Sequence, residues 1–144
     1  MQVARQTVVI TRLARILAIL AAVVCVIITL RLWFSISAQQ SMWPLPGLYF
    51  LEMVVLSTIS AFLFVRGDPH SIWITWGAAG VISAFSILGA FSVGFFYLPV
   101  ALIFGVISII WDIRNKQNVP AHVGSFLVAG ILQLVLMFIV VFQR

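Results

Sequence analysis

The sequence predicts an all-α fold, a polytopic bundle of five transmembrane helices that forms one membrane domain. Of its 144 residues, 64% are hydrophobic and 8% are charged, whereas about 25% of the residues in soluble domains are charged. A chain of this length cannot hide so much apolar surface, so part of that surface must face lipid. The apolar residues also fall into stretches of about 20 residues, the length with which a helix crosses the hydrocarbon core.

The first two predicted spans are residues 16–34 and 45–65. Arginines precede the first span, as they would precede a signal peptide. The apolar stretch of this span is longer than that of a signal peptide, which usually has about 7–15 residues. We therefore expect a retained helix. The second span follows "SMWPLPGLY", in which two prolines favour the opening of a helix and Trp43 and Tyr49 suit a membrane interface.

The third and fourth spans come from one long stretch, residues 71–111, that contains no charged residue. As a single helix it would be about 61 Å long, twice the thickness of the hydrocarbon core. Gly94 and Pro99 mark a turn, so we predict spans at 72–91 and 96–112. A four-span arrangement with a re-entrant third segment is the alternative. The fifth span, 121–142, follows Pro120.

The basic residues predict the orientation, because cytoplasmic loops carry an excess of Lys and Arg. Five spans place two basic residues, Arg31 and Arg144, on the side of the C-terminus. We therefore expect a cytoplasmic N-terminus and an external C-terminus in a cell membrane, specifically a bacterial inner membrane. The six basic residues on the N-terminal side are Arg5, Arg12, Arg15, Arg66, Arg114 and Lys116.

Small residues predict where helices touch, since helix association in lipid depends on close backbone approach. At 100° per residue, Ala79, Ser83 and Ser86 share one face of the third span. Gly105 and Ser108 share one face of the fourth span. Because a tight turn joins these two spans, we expect the two faces to meet in a close helical hairpin.

Four polar residues are candidates for an intramembrane site: Arg31, Tyr49, Glu52 and Gln133. An acidic group within a span costs about 2.5–3.5 kcal/mol on insertion scales and is a functional candidate by default. Three hypotheses stay open for Glu52: an ion pair with Arg31, a neutral packed side chain, or a group that handles protons or cations. Tyr49 lies on the same helical face as Glu52, and Gln133 is expected to bond to a neighbouring helix.

The sequence offers little other chemistry. Its basic residues are spread along the chain, which argues against nucleic-acid binding. It contains no recognisable nucleophile–base set, metal-ligand cluster or redox cysteine pair, so we expect neither an enzyme nor a cofactor. His70 and His122 could in principle ligate a haem, but no motif supports it.

Two functions remain in view. The favoured one is a non-catalytic membrane subunit or scaffold that packs in the bilayer against other membrane chains or against itself. The alternative is a small proton- or cation-coupled transporter or channel component that uses Glu52.

Overall fold

The computed structural model describes residues 2–37, 46–90, 92–115 and 118–142. Within these ranges the chain forms five α-helices, and each is long and apolar enough to cross a membrane. The prediction of an all-α bundle with five spans is therefore confirmed. The helices are α1 (Gln2–Ser37), α2 (Gly47–Arg66), α3 (Ser71–Leu88), α4 (Leu98–Asn115) and α5 (Val119–Phe142).

The observed helix bounds differ most from the predicted spans at α1. This helix has 36 residues and is therefore about 54 Å long. It begins well before residue 16 because residues 2–15 contain neither proline nor glycine to stop it. The third segment is a helix of 18 residues, long enough to cross the membrane as the five-span prediction requires, and not the short segment of the re-entrant alternative. Residues 45 and 91, at two of the predicted bounds, lie outside the described residues.

Two turns set the short connections on either side of α3. Gly67 ends α2 in the left-handed region with φ of 74°, which favours glycine, and its N–H bonds to the last turn of the helix. Asp68 then accepts a hydrogen bond from the backbone N–H of His70 at 2.8 Å. Beyond α3 the backbones of Gly89 and Gly94 touch, since a Cβ on Gly94 would lie 2.6 Å from the Cα of Gly89. A 3₁₀ turn, Gly94–Tyr97, leads into α4.

α3 is the central helix of the bundle. It contacts α2, α4 and α5, while α1 packs against α2 and α4 on the other side. In the apolar stretch of α3, 61% of the residues are buried inside the chain, compared with 6% in α5. α5 is thus a peripheral helix that rests mainly on α3.

Most of the core is apolar and lies between α1, α2, α3 and α4. Phe50, Met53, Tyr97 and Phe104 are fully buried there. A second apolar cluster lies nearer the N-terminal end of α1. Small residues on α1 allow that helix to pack closely against its neighbours in this second cluster, whose buried members are Ala14, Ala18, Ala61, Phe64 and Ile107.

The small residues predicted to join α3 and α4 have different surroundings. The two helices do contact each other, and Ala79, Ser86 and Ser108 are buried. Gly105 has no atom within 4 Å of the position that its Cβ would occupy. It is therefore not a close-packing position inside this chain. The larger Phe104 packs instead in the core cluster that includes Ala79 and Ile82 of α3.

The closest helix approach is between α3 and α5. A Cβ on Gly80 would overlap the carbonyl oxygen of Phe126, and a Cβ on Gly130 would lie 3.3 Å from the carbonyl oxygen of Gly80. Ser83, which we expected to face α4, is half-buried and lines a groove between α3 and α5. The small residues of α3 thus serve two interfaces, and at position 80 in the interface with α5 only glycine fits.

Candidate functional site

The most buried charged group in the described chain is Asp112, near the end of α4. Its carboxylate is fully buried and accepts a hydrogen bond from Nε1 of Trp76 on α3 at 2.9 Å. Nδ1 of His122 on α5 lies 2.9 and 3.0 Å from its two oxygens. These three residues, which we call the Asp112 cluster, join α3, α4 and α5 at one end of the bundle.

Helix ends bring the Asp112 cluster together. Asp112 lies in the last turn of α4 and His122 in the first turn of α5, so the short connection between these helices places them side by side. Trp76 lies in the second turn of α3, which begins at the same end. The ring of Trp73 meets the His122 imidazole edge-to-face at 4.4 Å, and Ser125 donates to the backbone oxygen of Trp73 at 3.2 Å.

The Asp112 cluster connects three helices through hydrogen bonds. A buried carboxylate is stable only when donors satisfy its oxygens, and here an indole N–H and an imidazole nitrogen do so from two other helices. When His122 is protonated the contact is an ion pair. His70 is exposed, in contrast to buried His122. The described residues contain no group of three or more His, Cys, Asp or Glu side chains that could hold a metal ion.

Glu52 lies towards the opposite end of the bundle, near the start of α2. Its side chain is half-buried, and its Oε2 accepts a hydrogen bond from Nε2 of Gln133 on α5 at 3.0 Å. Gln133 is 2% exposed. The backbones of α2 and α5 do not contact each other, so this bond, the Glu52–Gln133 bridge, reaches from α2 to α5 past α3.

The other two sequence candidates are placed differently. Arg31 is exposed and forms no ion pair with Glu52, because Cys25 and Thr29 occupy the buried face of α1 and Arg31 lies about 200° around the helix from Thr29. Tyr49 is one turn from Glu52, and its ring packs against Phe85 with centroids 5.9 Å apart. Its hydroxyl is buried and has no hydrogen-bond partner.

A further polar contact lies among the core residues of α1, α2 and the 3₁₀ turn. The hydroxyls of Thr29 and Tyr97 are 2.8 Å apart, and the Cys25 thiol donates to the backbone oxygen of Met53 at 3.5 Å. All four residues are buried. The contact between Thr29 and Tyr97 connects α1 to the turn before α4, and that between Cys25 and Met53 connects α1 to α2.

Sequence reasoning missed the Asp112 cluster. One signal was present: a tryptophan in an apolar span needs an acceptor for its N–H, and Asp112 is an acid in the last turn of the next span.

Comparison of this chain with known protein families, with curated protein sequences and with solved structures gave no match.

Proposed function

We propose that this chain is a non-catalytic subunit or scaffold of a membrane assembly, with its N-terminus in the cytoplasm of a bacterial cell. Its five apolar helices are compatible with a multi-pass membrane protein. The observation that carries the proposal is that two glycines within its spans have open space at their Cβ positions, which no neighbouring helix of the described chain fills. Gly105 on α4 and Gly124 on α5 have no atom within 4 Å of their Cβ positions.

A close contact with another helix would explain why glycine occupies these two positions. Glycine inside a helix costs about 1 kcal/mol relative to alanine, and in membranes small residues mark sites where another helix packs. A helix of a second membrane chain against α4 or α5 would use the space that Gly105 and Gly124 leave open.

The surface of α5 supports the same proposal. Only 6% of its apolar stretch is buried inside the chain, and beside it runs a groove of about 150 Å³. Small residues of α3 and α5 line this groove, among them Gly80, Ser83, Ala84 and Gly130. A shallow apolar groove with small residues allows close contact with a partner helix.

The intramembrane polar groups fit a structural role. Asp112 and His122 bond to each other, and Glu52 bonds to Gln133, so both carboxyl groups connect helices of this chain. In each pair one partner lies on α5. The polar groups therefore hold the peripheral helix in position, where its outer face is available to another chain.

Crosslinking inside the native membrane tests this proposal. A photo-crosslinking residue at Val106 or Val128, both exposed, should form a defined adduct with one membrane chain. Gly105→Leu and Gly124→Leu should remove that adduct without unfolding the protein, because both positions have open space. The matched control Leu102→Ile, on the exposed side of α4, should keep it. Crosslinks to lipid alone would contradict the proposal.

The second candidate function is a proton- or cation-coupled transport component. One observation favours it: the half-buried Glu52 carboxyl receives its hydrogen bond on one oxygen, beside the unpartnered Tyr49 hydroxyl. Purified protein in liposomes should then carry a proton or cation flux that Glu52→Gln abolishes and Arg31→Gln leaves unchanged. Equal flux through the native protein and Glu52→Gln would reject this function.

A further inference from the structure

Three arginines gather at one end of the bundle, where α1 passes α2. A guanidinium nitrogen of Arg15 lies 3.7 Å from the Cβ position of Gly67, in the turn after α2. This contact places the guanidinium of Arg15 at the end of α2. Arg66 is the last residue of α2, and Arg12 lies three residues before Arg15, about 4.5 Å along the axis of α1.

All three arginines are at the surface. Arg12, Arg15 and Arg66 are exposed, and the guanidinium of Arg66 lies over the ring of Phe62, 4.2 Å from its centroid. Apolar side chains continue below them towards the other end of the bundle, since Ile16, Ile19 and Phe62 are also exposed. The surface thus changes from cationic to apolar along the two helices, as a lipid changes from headgroup to acyl chain.

In the described chain, none of these arginines forms an ion pair. The nearest acid in sequence is Asp68, and it accepts a hydrogen bond from the backbone of His70. Within the described residues, no ion pair joins Arg12, Arg15 or Arg66 to an acidic side chain. Three like charges at one end of the bundle repel each other, and an anion bound there would reduce that repulsion.

The position of these arginines along the helix axes is that of a membrane surface, at the ends of the spanning helices. Arg114, at the end of α4, donates to the hydroxyl of Thr11 at 2.9 Å, which places Thr11 level with the ends of the spanning helices. The uncharged stretch of α1, residues 16–30, begins directly after Arg15. Arg12 and Arg15 are therefore in the headgroup layer, where arginine binds phosphate through two parallel N–H···O bonds.

We propose that Arg12, Arg15 and Arg66 bind the phosphate group of an anionic phospholipid at the junction of α1 and α2. The lipid's acyl chains lie along the exposed apolar residues of the two helices. The positive-inside rule alone requires only that arginines be on this side of the membrane. A binding site requires them to act together on one headgroup.

Native mass spectrometry of the full chain in a neutral maltoside detergent tests the proposal. Phosphatidylglycerol or phosphatidylcholine is added at equal mole fraction, and the lipid retained on the protein is measured. The native protein should retain phosphatidylglycerol in preference. Each of Arg12→Gln, Arg15→Gln and Arg66→Gln should weaken that retention about fivefold, the factor expected for one arginine near an anionic surface.

Arg31→Gln is the matched control, because Arg31 is an exposed arginine at the other end of α1. It should leave the preference unchanged. A second measurement guards against misfolding: phosphatidylglycerol should raise the thermal midpoint of the native protein and of Arg31→Gln, but not that of Arg12→Gln/Arg15→Gln.

Three results would overturn the proposal. The first is equal retention of the two lipids by the native protein. The second is a loss of preference in Arg31→Gln as large as in the other variants. The third is a rise in thermal midpoint with inorganic phosphate equal to the rise with phosphatidylglycerol at the same concentration, which would make this a site for free anions.

Discussion

Neutral or weakly basic donors, not arginines, hold the two carboxyl groups of the spans. Asp112 receives its bonds from Trp76 and His122, and Glu52 receives one from Gln133. Such partners are shorter and stiffer than arginine, so they fix the distance between the helices that carry them. The bonds also satisfy groups that would be costly to leave unpaired in a low-dielectric surrounding.

Removing the Asp112 carboxylate should destabilise the protein. In Asp112→Ala the Trp76 N–H and His122 Nδ1 lose their partner while still buried, and a buried unsatisfied group costs about 1–3 kcal/mol. We expect a loss of about 2 kcal/mol in the free energy of unfolding, measured by SDS titration in mixed micelles.

Ser108→Ala is the control for Asp112→Ala. Ser108 is also fully buried on α4, but its hydroxyl has no hydrogen-bond partner, so its removal should change stability little. An Asp112→Ala protein as stable as Ser108→Ala would mean that the Asp112 cluster does not hold the helices.

The Glu52–Gln133 bridge predicts energetic coupling between two residues that are 81 positions apart. A double-mutant cycle with Glu52→Ala and Gln133→Ala should give a coupling of about 0.6 kcal/mol, the average for hydrogen bonds between membrane helices. The parallel cycle with Arg31→Ala and Glu52→Ala should give none. The reverse result, coupling to residue 31 alone, would favour the ion pair that the sequence suggested.

At the scale of residues, the sequence identifies polar positions better than it identifies their partners. Glu52 and Gln133 are conspicuous because each interrupts an apolar span. Arg31 and Glu52 have similar depths, so depth alone allowed them to pair. The rotation of α1, which turns Arg31 outward, and the position of α5 beside α3 decide the outcome. Neither is encoded in the spacing of residues within one span.

At the scale of elements, α5 is held by a few specific contacts and little apolar burial. Its backbone meets α3 at Gly80 and Gly130, and its polar residues reach α2 and α4. Because each of these contacts requires a particular residue, single substitutions along α5 and its neighbours should affect its attachment more than changes in the apolar core of the other helices would.

Gly80→Ala tests the contact between α3 and α5. The new methyl group would overlap the carbonyl oxygen of Phe126, and a backbone atom can move away only if α5 moves. Overpacking of this kind costs about 1–3 kcal/mol. We expect a lower thermal midpoint, together with increased proteolysis between α4 and α5.

Gly105→Ala and Gly124→Ala are the controls for Gly80→Ala. Both have open space at the Cβ position, and alanine is the better helix former by about 1 kcal/mol, so these variants should be as stable as the native protein or more stable. Loss of stability in Gly105→Ala would instead support a close contact between α3 and α4 at that glycine.

At the same scale, the sequence predicts helices more reliably than contacts. Each span follows from the length of an apolar stretch, and the uncharged stretch 71–111 must be divided because one helix would be too long. Small residues mark α3 as a contact helix, but they lie on more than one of its faces. The pattern does not say which neighbour meets which face, so Gly80 was not distinguished from Ala79 or Ser83.

At the scale of the whole molecule, the two ends of the bundle differ in charge. The end of the bundle that contains the first turns of α1 and the last turn of α2 carries Arg12, Arg15, Arg66 and Arg114. In the described part of the opposite half, the only arginine is Arg31. From this difference the positive-inside rule predicts one preferred orientation, with the arginine-rich end in the cytoplasm.

Cysteine labelling tests this orientation. Native Cys25 is fully buried, so it should give little background. Ser92→Cys and Asn118→Cys place exposed thiols at opposite ends of the bundle, after α3 and before α5. A membrane-impermeant maleimide should label Ser92→Cys on intact cells, and should label Asn118→Cys only after the membrane is permeabilised. Because the five helices alternate in direction, labelling of Asn118→Cys on intact cells would reverse every span at once and would place the arginine-rich end outside.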